Sequence, residues 1–207
     1  MRAPFEEDRQ LISKCLSSDR RAWEAMVRRF SNLVYQTARA TFLAKQISFS
    51  RQDLEDLHNT VFLRLFEQGC ARLRLYQGRN GCTLASWIRI VTVRTVLNYI
   101  RKKGVDGPLG EKKKTPIDEL PWLRGEDKGP LALMESEEQE KLVHEGMESL
   151  APRDRLFMKL HIDQGLPMEQ VAEALQISVQ NAHVVKHRAV EKLKSYLGFH
   201  GKLTILL

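Results

Sequence analysis

Apolar residues in the first hundred positions recur at intervals of three and four, the period of an amphipathic helix. A short helix is predicted around Glu6–Leu16. A second runs through "RRAWEAMVRRFSNLVYQTARATF", where Trp23, Met26, Val27, Phe30, Leu33, Val34 and Thr37 form the inward stripe and Asp19 or Ser18 is the candidate N-cap. In the third, "RQDLEDLHNTVFLRLFEQG", Leu54, Leu57, Val61, Phe62, Leu65 and Phe66 share one side. Asp53 and Asp56 open that helix, as its positive dipole end favours, and Gly69 ends it. The fourth, "LASWIRIVTVRTVLNYIRKK", carries enough β-branched residues for propensity alone to permit strand. Its length, and the basic turn Arg101-Lys102-Lys103 before Gly104, select helix.

Residues 104–130 break this period with glycines, prolines and mixed charges, and read as a linker with room for one short helical turn. A new helical unit starts in "ESEEQEKLVHEGMESL" and continues through "PRDRLFMKLHIDQG", with Pro152 in a first turn and Gly165 past the end. No alternating apolar pattern marks a strand. The expected fold is all-α: two small helical domains, residues 1–104 and 135–200, joined by a flexible linker over 105–134, with a tail at 201–207.

The stretch "QVAEALQISVQNAHVVKHRAVEKLK" has the spacing of a helix-turn-helix. Val171, Ala172, Leu175, Ile177, Ala182 and Val185 are its inward positions, continued by Ala189, Leu193 and Leu197. Ser178 is set to cap the second helix by accepting from a backbone N–H near Asn181. Outside remain Gln180, Asn181, His183, Val184, Lys186, His187, Arg188 and Glu191. Gln180 and Asn181 can each pair bidentately with adenine, and Val184 can pack on a thymine methyl. Lys186, Arg188, Lys192 and Lys194 can reach phosphates, which position a protein without specifying sequence. A plain helical hairpin with a solvated face is the competing reading.

Charge sharpens the picture. The chain carries +7 over 207 residues, unevenly spread. Residues 1–104 hold 19 Lys and Arg against 9 Asp and Glu, residues 105–140 hold 5 against 10, and residues 141–207 hold 9 against 7. A basic block, an acidic bridge and a mildly basic block suit a polyanion-binding protein with an acidic connector. No run of about 18 apolar residues predicts a membrane span, and no apolar signal core follows the first residues. Cys15, Cys70 and Cys82 are scattered, without metal-ligand spacing, and are expected to be reduced thiols in the cytoplasm. The six histidines have no Ser, Cys or acid at catalytic spacing and there is no glycine-rich phosphate loop, so no enzyme, cofactor or metal is expected.

Both halves resemble the bacterial extracytoplasmic-function (ECF) σ factors of the σ70 family. "DRRAWEAMVRRFSNLVYQTAR" is similar to the first σ2 helix, "DLEDLHNTVFLRLFE" to the family's "DLVQEVFLRLW" segment, "TLASWIRIVTVRTVLNYIRKK" to the promoter-melting helix, and "LAPRDRLFMKLHIDQGLPMEQVAEALQISVQNAHVVKHRAVEKLK" to σ4. The resemblance implies a σ2-like bundle over 1–104 and a σ4-like helix-turn-helix domain over 135–200. It implies that Asp53, Asp56, Leu57, Asn59, Phe62 and Leu65 bind the clamp helices of core RNA polymerase. It implies that Gln77, Gly78, Arg79, Asn80 and Gly81 capture a flipped base of the −10 element, and that Trp87, Arg94, Asn98, Arg101 and Lys102 lie along the opened strand. Ser178, Gln180, Asn181, His183, Val184, Lys186, His187 and Arg188 would face the −35 element. An anti-σ factor is a candidate partner whose existence the sequence leaves open.

The chain departs from the family where Gln176 replaces the turn glycine, where His183 and Val185 replace basic residues, where Arg94 replaces Asn, and in a slightly long capture loop. On the residues alone, Trp87 reads as a core anchor. The acids Asp53, Glu55 and Asp56 read as dipole partners or as an interface, which would need an exposed apolar anchor such as Leu57 or Phe62. The expected function is promoter recognition and transcription initiation. The alternatives are a σ-like adaptor that binds a σ-regulating protein, or a helix-turn-helix regulator.

Overall fold

The computed structural model describes residues 4–78, 82–104 and 142–199, which divide between two compact units. The expected linker, the tail, and Arg79, Asn80 and Gly81 of the capture loop lie outside the described residues. Among the described residues there are helices and no strand, and no helix is long and apolar enough to cross a membrane.

The first unit holds α1 (Pro4–Leu16), α2 (Arg20–Ala44), α3 (Arg51–Cys70), a 3₁₀ turn (Leu73–Leu75) and α4 (Leu84–Lys102). Caps fix the starts. Asp19, not Ser18, caps α2, its carboxylate accepting from the Arg21 and Ala22 N–H groups at 2.8 and 3.4 Å. Ser50 and Asp53 form a reciprocal capping box at the start of α3. Helical geometry in α3 ends before Gly69: Glu67 is extended, and Gln68, Gly69 and Cys70 follow at φ +52°, +63° and +60°. Tertiary packing, which buries Cys70 and Leu73, overrides the simple glycine stop.

α4 is the most enclosed helix, packed against α2 and α3. Leu84, Ile88, Ile90, Val91, Val93, Val96 and Ile100 are all buried. Full burial stabilises each such side chain by roughly 1.5–3 kcal/mol, enough to overcome the β-branched preference for strand. Thr92 and Thr95 are also buried, and their hydroxyls donate to the Ile88 and Val91 carbonyls at 2.8 Å. Asp8 of α1 is buried against the start of α4: one carboxylate oxygen accepts from the Leu84 N–H at 3.2 Å. Arg29 of α2 stands 2.9 Å from the other oxygen, as an ion pair rather than an aligned hydrogen bond.

The second unit holds α5 (142–149), α6 (Pro152–Met158), a π-helical turn (Lys159–Asp163), α7 (Met168–Leu175) and α8 (Val179–Phe199). Pro152 occupies the first position of α6, where its missing N–H costs nothing. Gly165 lies past the π turn at φ +63°, a left-handed conformation glycine adopts freely. Arg155 is 1% exposed and closes the C-terminus of α5, donating to the carbonyls of Met147 at 2.9 Å, of Glu148, and of Leu150 at 3.0 Å.

Candidate nucleic-acid interface

The helix-turn-helix assembles from local rules. Gln176 ends α7 in the left-handed region, at φ 56° and ψ 48°, and the Ile177 N–H donates to the Ala172 carbonyl at 3.0 Å. Ser178 then caps α8, accepting from the Asn181 N–H at 3.1 Å. Val171, Ala172, Ala182, Val185 and Ala189 are buried, as the spacing predicts, whereas Leu175 and Ile177 are only half-buried. Ala174 joins the core from outside the predicted stripe.

The outer face of α8 is open. Ser178, Gln180, Asn181, His183, Val184 and His187 are exposed, with Val184 61% accessible; Lys186 is half-buried. An exposed valine among hydrogen-bonding side chains matches the needs of base reading. Arg188, expected to reach phosphate, is also paired within the unit. Its guanidinium forks around the buried carboxylate of Asp154 on α6, at 2.8 and 2.5 Å, so α8 is fastened by one of its own cations. Lys192 donates to the Ser149 carbonyl at 2.6 Å.

In the first unit, α4 presents its cations at its C-terminal end. Arg101 and Lys102 are exposed; Arg89, Arg94 and Asn98 are half-buried, and burial pushes the Arg89 pKa down. Trp87 is half-buried against the core, and its indole meets the Tyr76 ring edge-on at 5.8 Å, the anchoring role its sequence context suggests. Tyr76 in turn donates its hydroxyl to the Cys82 carbonyl at 2.8 Å, closing the neck of the predicted capture loop. Gln77 is exposed. Gly78 sits at φ +61°, and a Cβ there would meet only ordinary contacts, so backbone angle rather than crowding calls for glycine.

The α3 assignments need correction. Leu57, Phe62 and Leu65 are 2%, 5% and 0% exposed. They form the core, because α2 and α4 cover the arc they occupy. Neither Leu57 nor Phe62 is the exposed anchor. The exposed apolar side chain on this helix is Leu63, 65% accessible, beside a shallow depression lined by Val27, Asp56, His58, Asn59, Thr60, Phe62 and Leu63. The signal was in the sequence: Leu63 lies off the inward stripe of its own helix. His58 is stacked on Tyr35 at 4.5 Å, and burial pushes its pKa down.

Asp53 serves the fold. Its carboxylate accepts from the Tyr99 hydroxyl and from the Lys103 ammonium, the latter at 2.8 Å. Burial alone would raise its pKa, but Lys103, Tyr99 and Ser50 outweigh that and hold it well below the usual carboxylate range. Asp56 and Asn59 remain exposed. Among the described residues no group of three His, Cys, Asp or Glu could hold a metal ion.

Three comparisons bear on this geometry. Residues 146–195 match the family Sigma-70, region 4. The ECF RNA polymerase sigma factor SigE of Mycolicibacterium smegmatis is 25% identical over 183 residues, which cover 88% of this chain and 64% of that relative. The chain thus spans about 64% of the length of this curated relative. A solved structure of CnrH in complex with the cytosolic domain of CnrY shares the fold, with a TM-score of 0.53 and 16% identity over 93% of this chain and 97% of the other.

Proposed function

We propose, for a chain that belongs to the ECF group of the σ70 family, a role as a promoter-recognising subunit that starts transcription with core RNA polymerase. The observation that carries the reading is α8, which buries Ala182, Val185 and Ala189 while leaving Gln180, Asn181, His183, Val184 and His187 open. In this reading α8 enters the major groove of the −35 element, with adenine and thymine as its preferred bases. The face is weakly cationic, so it binds modestly and depends on the second unit for avidity through the tether.

The first unit opens the −10 element. Unstacking a base costs a few kcal/mol, and a stacking platform returns roughly 1–3 kcal/mol per base. Tyr76, Gln77 and Gly78 at the loop neck supply that platform and its polar edge; Arg101 and Lys102 follow the phosphates. The acidic bridge over 105–140 would be repelled by promoter DNA and directed into the polymerase. Polymerase docks on the exposed side of α3, through Leu63, Asp56 and Asn59. CnrH is found in complex with the cytosolic domain of CnrY; for this chain a protein partner is likewise proposed, one that would block polymerase by covering the exposed side of α3.

The test is transcription in vitro. The chain and bacterial core polymerase together start transcripts at a cognate promoter, identified by sequencing transcript starts after overexpression; neither does so alone. Absence of core binding at micromolar protein overturns the reading in favour of an adaptor.

A further inference from the structure

A cleft of about 490 Å³ opens between α1 and the loop neck, lined by Arg9, Ile12, Ser13 and Leu16 on one side and Tyr76, Gln77 and Gly78 on the other. Its floor is apolar: Ile12, Leu16 and the ring of Tyr76. That ring is held from two directions, by its hydroxyl on the Cys82 carbonyl at 2.8 Å and by Trp87 at 5.8 Å. A ring held this way is preorganised for stacking. The rim is polar, with Arg9, Ser13 and Gln77 all exposed.

Arg29 and Arg9, on α2 and α1, have different tasks. Arg29 pairs with buried Asp8. Arg9 has no ion pair among the described residues; its charge acts on Tyr76, so the cation stands close to the cleft. The 3₁₀ turn Leu73–Leu75 packs on α1 and adds exposed Arg72 and Arg74. Glu6 and Glu7 sit at the opposite end of α1, in its first turn. The field favours an anionic strand leaving the cleft toward the 3₁₀ turn, away from the start of α1.

An apolar and aromatic floor, hydrogen-bonding groups on the rim and one cation match an unstacked nucleobase with its phosphate. We infer that α1 forms the second wall of a single-stranded DNA subsite, in which Arg9 holds a phosphate while Ser13, opposite Gln77, determines which base is accepted. This rests on the promoter-opening role and assigns base selectivity to α1, outside the loop.

Wild-type chain bound to bacterial core polymerase is used to capture strands from a pool of randomised single-stranded DNA, which are then sequenced. Arg9→Ala weakens capture of every strand and lowers the salt slope by about 1, while Arg9→Lys keeps both. Ser13→Ala stays within about twofold of wild-type affinity but flattens the base preference at one position, a selective loss of edge contacts. Wild-type preference and affinity in both alanine variants overturn the inference, as does an equal change with strands made abasic at that position. Wild-type protein that binds polymerase yet selects no strand overturns the promoter-opening role itself. Both side chains are exposed, and thermal unfolding confirms that each variant is folded.

Discussion

Arg188 grips Asp154 through two parallel contacts, with Nε at 2.8 Å from one carboxylate oxygen and Nη2 at 2.5 Å from the other. Asp154 is 4% exposed and lies in the first turn of α6. The pair therefore sets where α8 stands relative to α6, and Arg188, expected from sequence to contact DNA, also fastens the helix proposed to read the −35 element. Its guanidinium is partly solvated, which moderates its contribution.

A double-mutant cycle with Asp154→Asn and Arg188→Met should give a coupling of about 1–2 kcal/mol by urea denaturation. The expectation is wrong if the two effects simply add.

Arg155 should be far less replaceable. Arg155→Met leaves the carbonyls of Met147, Glu148 and Leu150 without their donor in a buried site, a loss of roughly 3–5 kcal/mol. Cooperative unfolding of the second unit at the wild-type midpoint would contradict this.

The cluster of Asp53, Tyr99 and Lys103 gives the first unit a signed pH dependence. Asp53 has a depressed pKa, so its stabilisation is complete above the unfolded value, about 4, and fades as pH falls toward the folded one. Hydrogen bonding to Asp53 raises the Lys103 pKa. That contribution is full below the unfolded lysine value of about 10.4 and fades above it. Stability measured against pH for Asp53→Asn should run below wild type between those limits and converge with it in acid; a constant offset down to pH 2 would rule the network out.

Leu63 and Phe62 are neighbours with opposite fates. Leu63→Asp should leave the unfolding temperature unchanged and weaken core polymerase binding at least tenfold, while Phe62→Ala should cost about 3–5 kcal/mol of stability. Equal polymerase affinity for Leu63→Asp and wild type would remove α3 from the interface.

Gln176 occupies a conformation that costs a side-chain-bearing residue about 1–2 kcal/mol. Gln176→Gly removes this strain but adds freedom to the unfolded chain, so a net gain of about 0.5–1 kcal/mol is expected in denaturant unfolding. Loss of stability would mean that the glutamine side chain contributes more than its backbone costs.

The sequence by itself determined the helices and the local joints between them. Ser178, Gln176, Asp19 and Pro152 act on groups within a few residues, through capping and backbone geometry that any chain with the same local order would share. The tertiary structure decided which arc of each helix is covered and where long-range charges meet. Asp53 finds Tyr99 and Lys103 some 46 and 50 residues away, and Asp8 finds the Leu84 N–H 76 residues away. The spacing of α3 already sets Phe62 on the inward stripe and Leu63 off it; it does not say which neighbours cover the stripe. That cover comes from α2 and α4, which remove one arc from water and leave the other, with Leu63, open.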